Sequence, residues 1–249
     1  YKLNKNIQNF TFFKCDINKD IKKLGKIIFK NKPNYIVNFA AQGMVAESWI
    51  KPNDWYQTNI IGQINLINQI KEFGFIEKFL QFSTPEVYGN TNNWITEDNK
   101  FLPTTPYAIS RAAFDSHILN LSKFYKFPTI ITRTANVFGP GQQLYRVIPR
   151  AIISSEFKKK FYLHGNGNSQ RSFIHINDVS TALDKILRRG KVGQTYHIST
   201  NRLISIKKLI ELIFKIQKSN FSSYVRFSKE RLGKDKFYKL NSKKIRKSL

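Results

Sequence analysis

Short apolar runs alternate along this chain with longer amphipathic stretches, the pattern of a parallel sheet covered by helices. Phe10–Cys15 predicts a strand, Ile21–Phe29 a helix, and Tyr35–Ala40 a second strand introduced by Pro33. From Trp55 to Phe73 the isoleucines 60, 61, 64, 67 and 70 recur at helical spacing, and Phe79–Ser83 predicts a third strand. After a polar stretch from Asn90 to Thr105, Thr104 or Thr105 can cap a helix whose first turn holds Pro106 and which runs to about Tyr125. Thr129–Thr134 is a β-branched strand leading to a Gly-Pro-Gly loop at Gly139–Gly141. Beyond it the pattern predicts helix Val147–Phe157, strand Phe161–His164, helix Asp178–Arg188, strand Gln194–Ser199, helix Ser205–Gln217 and a basic tail. In open parallel sheets ligands bind beyond the carboxyl ends of the strands. Ala40–Ala41, Ser83–Glu86 and Ala135–Gly139 all fall at such ends.

Composition changes this picture little. The 249 residues are 41% hydrophobic, enough for a core, and no apolar run approaches the roughly 20 residues of a membrane span. The single cysteine, Cys15, excludes an internal disulfide and fits a reducing compartment, so the cytoplasm is expected. The net charge of +26 raises the alternative of a nucleic-acid-binding or scaffold module. The lysines are dispersed through the amphipathic segments, however, as solvent-facing positions would be, so nucleic acid is not the expected partner. His117, His164, His175 and His197 have no metal-ligand spacing and read as structural, and Trp49, Trp55 and Trp94 read as packing residues.

Candidate chemistry begins at Tyr107 and Arg111, four apart at a helix start and therefore on one face. A tyrosine hydroxyl, with a pKa near 10, needs a neighbouring cation to work as a base. The run Tyr107-Ala108-Ile109-Ser110-Arg111 resembles the Tyr-x-x-x-Lys signature of the extended short-chain dehydrogenase/reductase family. Ser83-Thr84-Pro85-Glu86-Val87-Tyr88-Gly89, Asn38-Phe39-Ala40-Ala41-Gln42, Asn136-Val137-Phe138-Gly139-Pro140 and the segment from Arg171 to Asp178 follow in the order of its nucleotide-sugar dehydratases. Within them the similarity is to the dTDP-glucose and GDP-mannose 4,6-dehydratases.

The resemblance implies an α/β fold with a Rossmann-like parallel sheet and a small C-terminal substrate lobe. Residues 1–140 would form part of an NAD-binding domain, and 141–249 mainly the substrate lobe, with some segments returning to the sheet. It also implies an NAD-dependent lyase acting on a nucleoside-diphosphate hexose, through C4 oxidation, C5 deprotonation with water loss from C6, and return of hydride to C6. Tyr107 would take the proton of the 4-hydroxyl, Thr84 would bond the 4-oxygen, Glu86 would take the C5 proton, and Arg111 would stand for the family's lysine. Asp16, Ile17, Ala40, Ala41, Gln42 and Asn59, with Tyr107 and Arg111, would meet the cofactor; Asn136, Arg171 and Arg231 would hold the substrate's diphosphate or nucleotide. Family relatives pair through the helices spanning Ile60–Ile70 and Ala108–Leu121, so a homodimer is expected. A C4 epimerase of the same family is the nearest alternative, and Glu86 argues against it because epimerisation needs no C5 base.

The sequence departs from the pattern in three ways. Arg111 replaces lysine, keeping the charge with a planar head. Pro85 stands where the dTDP-glucose enzymes carry an aspartate that helps water leave. No G-x-G-x-x-G occurs, and Phe10–Cys15 matches the family's third strand, so the sheet is expected to lack its first two strands. Exposed apolar surface and weak NAD binding by the 249-residue chain follow from that expectation.

Overall fold

A computed structural model describes residues 8–91, 93–229 and 239–249. In chain order the elements are α1 (Ile21–Asn31), β1 (Tyr35–Asn38), α2 (Pro52–Tyr56), α3 (Gln63–Ile70), β2 (Lys78–Ser83), α4 (Pro106–Tyr125), β3 (Thr129–Thr134), β4 (Asn136–Phe138) and α5 (Val147–Glu156). There follow β5 (Phe161–His164), β6 (Gln170–Arg171), β7 (Phe173–His175), α6 (Ile176–Arg189), β8 (Thr195–Ile198), β9 (Ile204–Ser205), α7 (Ile206–Ile216), α8 (Phe221–Tyr224), β10 (Val225–Ser228) and α9 (Lys243–Ser248).

The main sheet is parallel throughout, in the order β1-β2-β3-β8. Strand pleating sends successive side chains to opposite faces, and the two covered faces require both to be apolar. Phe79 and Ile131 therefore join Leu66, Ile67, Ile70, Phe114 and Ile118 beneath α3 and α4. Leu80 and Ile130 turn the other way, onto Val179, Leu183 and Ile186 of α6 and Tyr196 and Ile198 of β8. Each such fully buried side chain contributes about 1.5–3 kcal/mol. A further cluster, Ala151, Phe161, Leu163, Ile210, Phe214 and Val225, packs α5 and α7 on the small β10–β5 pair. Residues 195–198 of the C-terminal half thus return to the main sheet.

Several expectations need correction. Phe10–Cys15 joins no sheet among the described residues, because apolar alternation alone does not make a strand without a neighbouring backbone to pair with. Phe13, which shares a groove with Ile36 and Asn38 of β1, is 47% exposed, and Phe39 just past β1 is 58% exposed. The predicted helix from Trp55 to Phe73 is α2 and α3 joined through π-helical turns at Gln57–Gly62. Trp55 is buried, but Trp49 and Trp94 are 54% and 42% exposed and are not core packing residues. The two- to four-residue strands β4, β6, β7, β9 and β10 escaped the pattern because so few residues carry no readable period.

Candidate active site

Two short devices of the same kind set the site. Thr84 caps the 3-10 turn Pro85–Tyr88 and Thr105 caps α4, each with an extended backbone, a side chain accepting a backbone N–H and a proline in the first turn. Their register brings Thr84 and Glu86, beyond the end of β2, against Tyr107 in the first turn of α4. The Tyr107 pKa is raised, chiefly by burial; the Arg111 charge lowers it, the Glu86 charge raises it, and the Thr84 hydroxyl bond and the Arg146 charge lower it. Thr84, Glu86 and Arg111 thus all act on the Tyr107 hydroxyl. Ser48 and Ser110 steady the tyrosine's backbone: the Ser48 hydroxyl accepts the Tyr107 N–H at 3.2 Å, and the Ser110 hydroxyl donates to its carbonyl at 2.7 Å.

Arg111 is 3% exposed, and its Nη2 donates to the Phe82 carbonyl at the end of β2. Its Nε and Nη1 are buried and have no hydrogen-bond partner among the described residues. Leaving such donors unmet is costly. They fit a hydroxyl-bearing ligand, such as a cofactor ribose, lying beside the tyrosine.

Asp16, Ile17, Ala40, Ala41 and Gln42 line one groove of about 520 Å³ running beside β1. The floor of this groove is apolar, with Phe13, Leu24, Ile36 and Leu66. Gly62 lets the turn at residues 16–18 close against the helix; a Cβ there would stand 2.6 Å from Asn18 Oδ1. Asn59, by contrast, lies fully buried behind the groove. Its amide accepts the Gln42 N–H at 2.7 Å and donates to the Gln42 carbonyl at 3.0 Å and to Ser110 Oγ at 2.9 Å. It holds the groove wall and does not line it. Gln63 Nε2 and Asn38 Oδ1 grip the Ala40 carbonyl and N–H in the same way, at 2.5 and 3.1 Å. The buried amides Gln81 and Gln63 both accept from Asn38, at 2.7 and 2.6 Å.

Asn136 and Arg171 lie close together, because β4 pairs with β7 and the Asn136 amide reaches the Ser172 carbonyl at 3.3 Å. Arg171 is 9% exposed, with Nη1 on the Gln170 carbonyl at 2.8 Å. Arg231 lies outside the described residues.

A family model described as GDP-mannose 4,6 dehydratase matches residues 1–248. The chain belongs to that family. A dTDP-D-glucose 4,6-dehydratase of Mus musculus is 35% identical to this family member over 247 residues, covering 96% of this chain and 69% of the relative. A trifunctional UDP-glucose 4,6-dehydratase of Arabidopsis thaliana is 30% identical, with 96% of this chain covered and 36% of the relative. Among solved structures, the dTDP-glucose 4,6-dehydratase of Bacillus anthracis, in complex with NAD, superposes with a TM-score of 0.88 at 30% identity, covering 98% of this chain and 76% of that one. The enzyme of Streptomyces venezuelae with NAD bound gives 0.88 at 28%, covering 94% and 72%.

Sequence reading of this GDP-mannose 4,6-dehydratase family member missed Gln63 and Gln81, the amides that hold Asn38 behind the groove. Their one signal was polarity at positions that the pattern makes internal. It also missed Asp115 and Arg133, which lie in a helix and a strand with nothing local to mark them as partners.

Proposed function

We propose that this protein is an NAD-dependent nucleoside-diphosphate-hexose 4,6-dehydratase. The observation that carries the reading is the meeting of Thr84, Glu86 and Arg111 at the Tyr107 hydroxyl, in a chain whose relatives are dTDP- and UDP-glucose 4,6-dehydratases. NAD would supply the hydride acceptor, and later donor, that lets a neutral sugar pass through a ketone. Arg111 would hold its ribose through the two unmet donors, and Asp16, Ile17 and Ala40–Gln42 would line its path.

The Arg111 charge favours the Tyr107 phenolate, which accepts the proton of the sugar's 4-hydroxyl and becomes a neutral phenol as the C4 hydride leaves. The Thr84 hydroxyl fixes the 4-oxygen beside it. Once C4 is a carbonyl the C5 proton is acidic, and Glu86 removes it as the C6 hydroxyl leaves as water. Pro85 cannot protonate that hydroxyl, so the proton on Glu86 is the one this turn offers for departure. Asn136, Arg171 and Arg231 are the proposed holds for the nucleotide end of the substrate. We further propose a homodimer through α3, with the π-helical turn before it where Ile61 is 47% exposed, and α4, where Ile109 is 43% exposed. A C4 epimerase would have no use for a carboxylate at this turn.

The test is turnover of dTDP-glucose, UDP-glucose and GDP-mannose in D₂O at saturating NAD, read by NMR. A 4-keto-6-deoxy product with deuterium at C5 is expected. Glu86→Gln should keep C4 oxidation, stall water loss and accumulate NADH. A C4-epimerised product with its 6-hydroxyl intact and no deuterium at C5 would overturn the reading.

A further inference from the structure

We infer that Tyr88 is a positioning residue, and that its hydroxyl, clamped between Arg133 and His197, sets where Glu86 stands relative to Tyr107. The inference rests on the dehydratase reading above and concerns residues that reading does not use. Ser83, Arg133 and His197 face one another in a single row across β2, β3 and β8. Arg133 is 1% exposed and His197 fully buried. Asp115 of α4 anchors the row: its Oδ2 accepts from Arg133 Nη2 at 3.0 Å and from the Ser83 hydroxyl at 2.8 Å.

The bonds run in one direction. Arg133 Nη1 donates to the Tyr88 oxygen at 2.6 Å, and with the Asn241 carbonyl able only to accept from His197 Nδ1, the neutral ring's Nε2 accepts the Tyr88 hydroxyl at 2.8 Å, nearer than the Glu97 carbonyl at 3.4 Å. The other ring nitrogen, Nδ1, then carries the proton and donates to the Asn241 carbonyl at 3.2 Å. The Arg133 guanidinium also lies 4.8 Å from the Tyr88 ring centroid and 4.7 Å from that of Phe101, so the ring as well as the hydroxyl is gripped.

Tyr88 ends the turn Pro85–Tyr88, which also carries Glu86. The other end is held by the Thr84 cap, and Gly89 follows at φ 64° with its α-carbon so close to Leu102 that a Cβ would stand 2.3 Å from the Leu102 carbonyl oxygen. A four-residue turn has little internal stiffness, since it forms few bonds of its own. Its geometry is therefore set by these anchors. Among them Tyr88 is the side chain that ties it to the sheet, and a displacement on the scale of 1 Å at a reacting group costs about a hundredfold in rate.

The experiment compares Tyr88→Phe, His197→Leu and His197→Gln with the unaltered full chain. Glutamine keeps an acceptor near the position of Nε2, and leucine does not. Hydrogen exchange is measured first and needs no substrate. Tyr88→Phe and His197→Leu should raise exchange of the Glu86–Gly89 amides at least about tenfold and leave β2 and β3 protected, while His197→Gln should not. Turnover in D₂O is measured second: in the two disrupted variants C5 labelling and water loss should fall about ten- to a hundredfold relative to C4 oxidation, with NADH accumulating. Unchanged exchange at residues 86–89, or an even loss of protection through the whole sheet, overturns the inference whatever the substrate. An equal fall in oxidation and water loss overturns it too. A chain that yields only C4 epimer refutes the dehydratase reading instead, and the exchange measurement still decides the positioning role.

Discussion

Replacing Asp115 with asparagine should be among the most destabilising single changes in this chain. Asp115 and Arg133 are 0% and 1% exposed, and the ion pair between them is 3.0 Å long. At an effective dielectric of about 20 two unit charges at that separation attract by about 5 kcal/mol. Asparagine keeps the volume and an acceptor for Ser83 and Arg133, but removes the countercharge. It also places an NH₂ group where Asp115 Oδ1 now lies, a buried position with no hydrogen-bond partner among the described residues. Breaking a buried pair from one side costs about 3–5 kcal/mol, a large part of the 5–15 kcal/mol typical of a folded domain. For a chain of this size that amounts to a fall in melting temperature of about 6–20 °C. Urea unfolding followed by circular dichroism would measure it, with Asp184→Ala as the control. The Arg188–Asp184 pair has similar length, 2.9 Å, but its side chains are 71% and 59% exposed, so its loss should cost less than about 1 kcal/mol. The double substitution Asp115→Leu with Arg133→Met should recover much of the loss, because an apolar pair leaves no unpaired charge. An Asp115→Asn cost within 1 kcal/mol of the control, or a double variant equal to the sum of its singles, would refute the argument.

Burial depresses the His197 pKa to about 3, with the Arg133 charge acting the same way. The unfolded chain binds that proton near pH 6.5 and the folded chain does not, so stability is complete above about pH 6.5 and falls as pH drops toward 3. Relative to His197→Gln, the parent chain should lose on the order of 4–5 kcal/mol across that window in paired unfolding titrations, and parallel curves would count against a neutral, buried His197. Tyr107→Phe removes the proton acceptor and keeps the ring, so C4 oxidation should fall by about 10²–10⁴ in stopped-flow measurement of NADH. Arg111→Lys preserves the cation and should retain most of that rate; a loss as large as that of Tyr107→Phe would assign the planar guanidinium a role of its own.

The strands and helices of the sheet were legible in the sequence because burial on two faces imposes long apolar runs. The capped, proline-initiated start of α4 at Thr105 was legible because capping is local chemistry, whereas the like start at Thr84 emerged only in the structure. Tyr107 and Arg111 shared a face by helical spacing alone, and Thr84 and Glu86 stood where strand ends converge. Tertiary structure decided the rest. Phe10–Cys15 has a strand's pattern and joins no sheet among the described residues, since pairing depends on what lies beside it. Asn59 allowed either a ligand contact or a backbone bridge, and only the fold shows its buried amide bonded to the Gln42 backbone. Ser83, Arg133 and His197 are separated by 50 or more residues each and meet only because β2, β3 and β8 align in one register. Polar residues in an apolar pattern announce that partners must exist, because an unmet buried charge is too costly to keep. Which partners those are is a property of the register and packing, and no local segment encodes it.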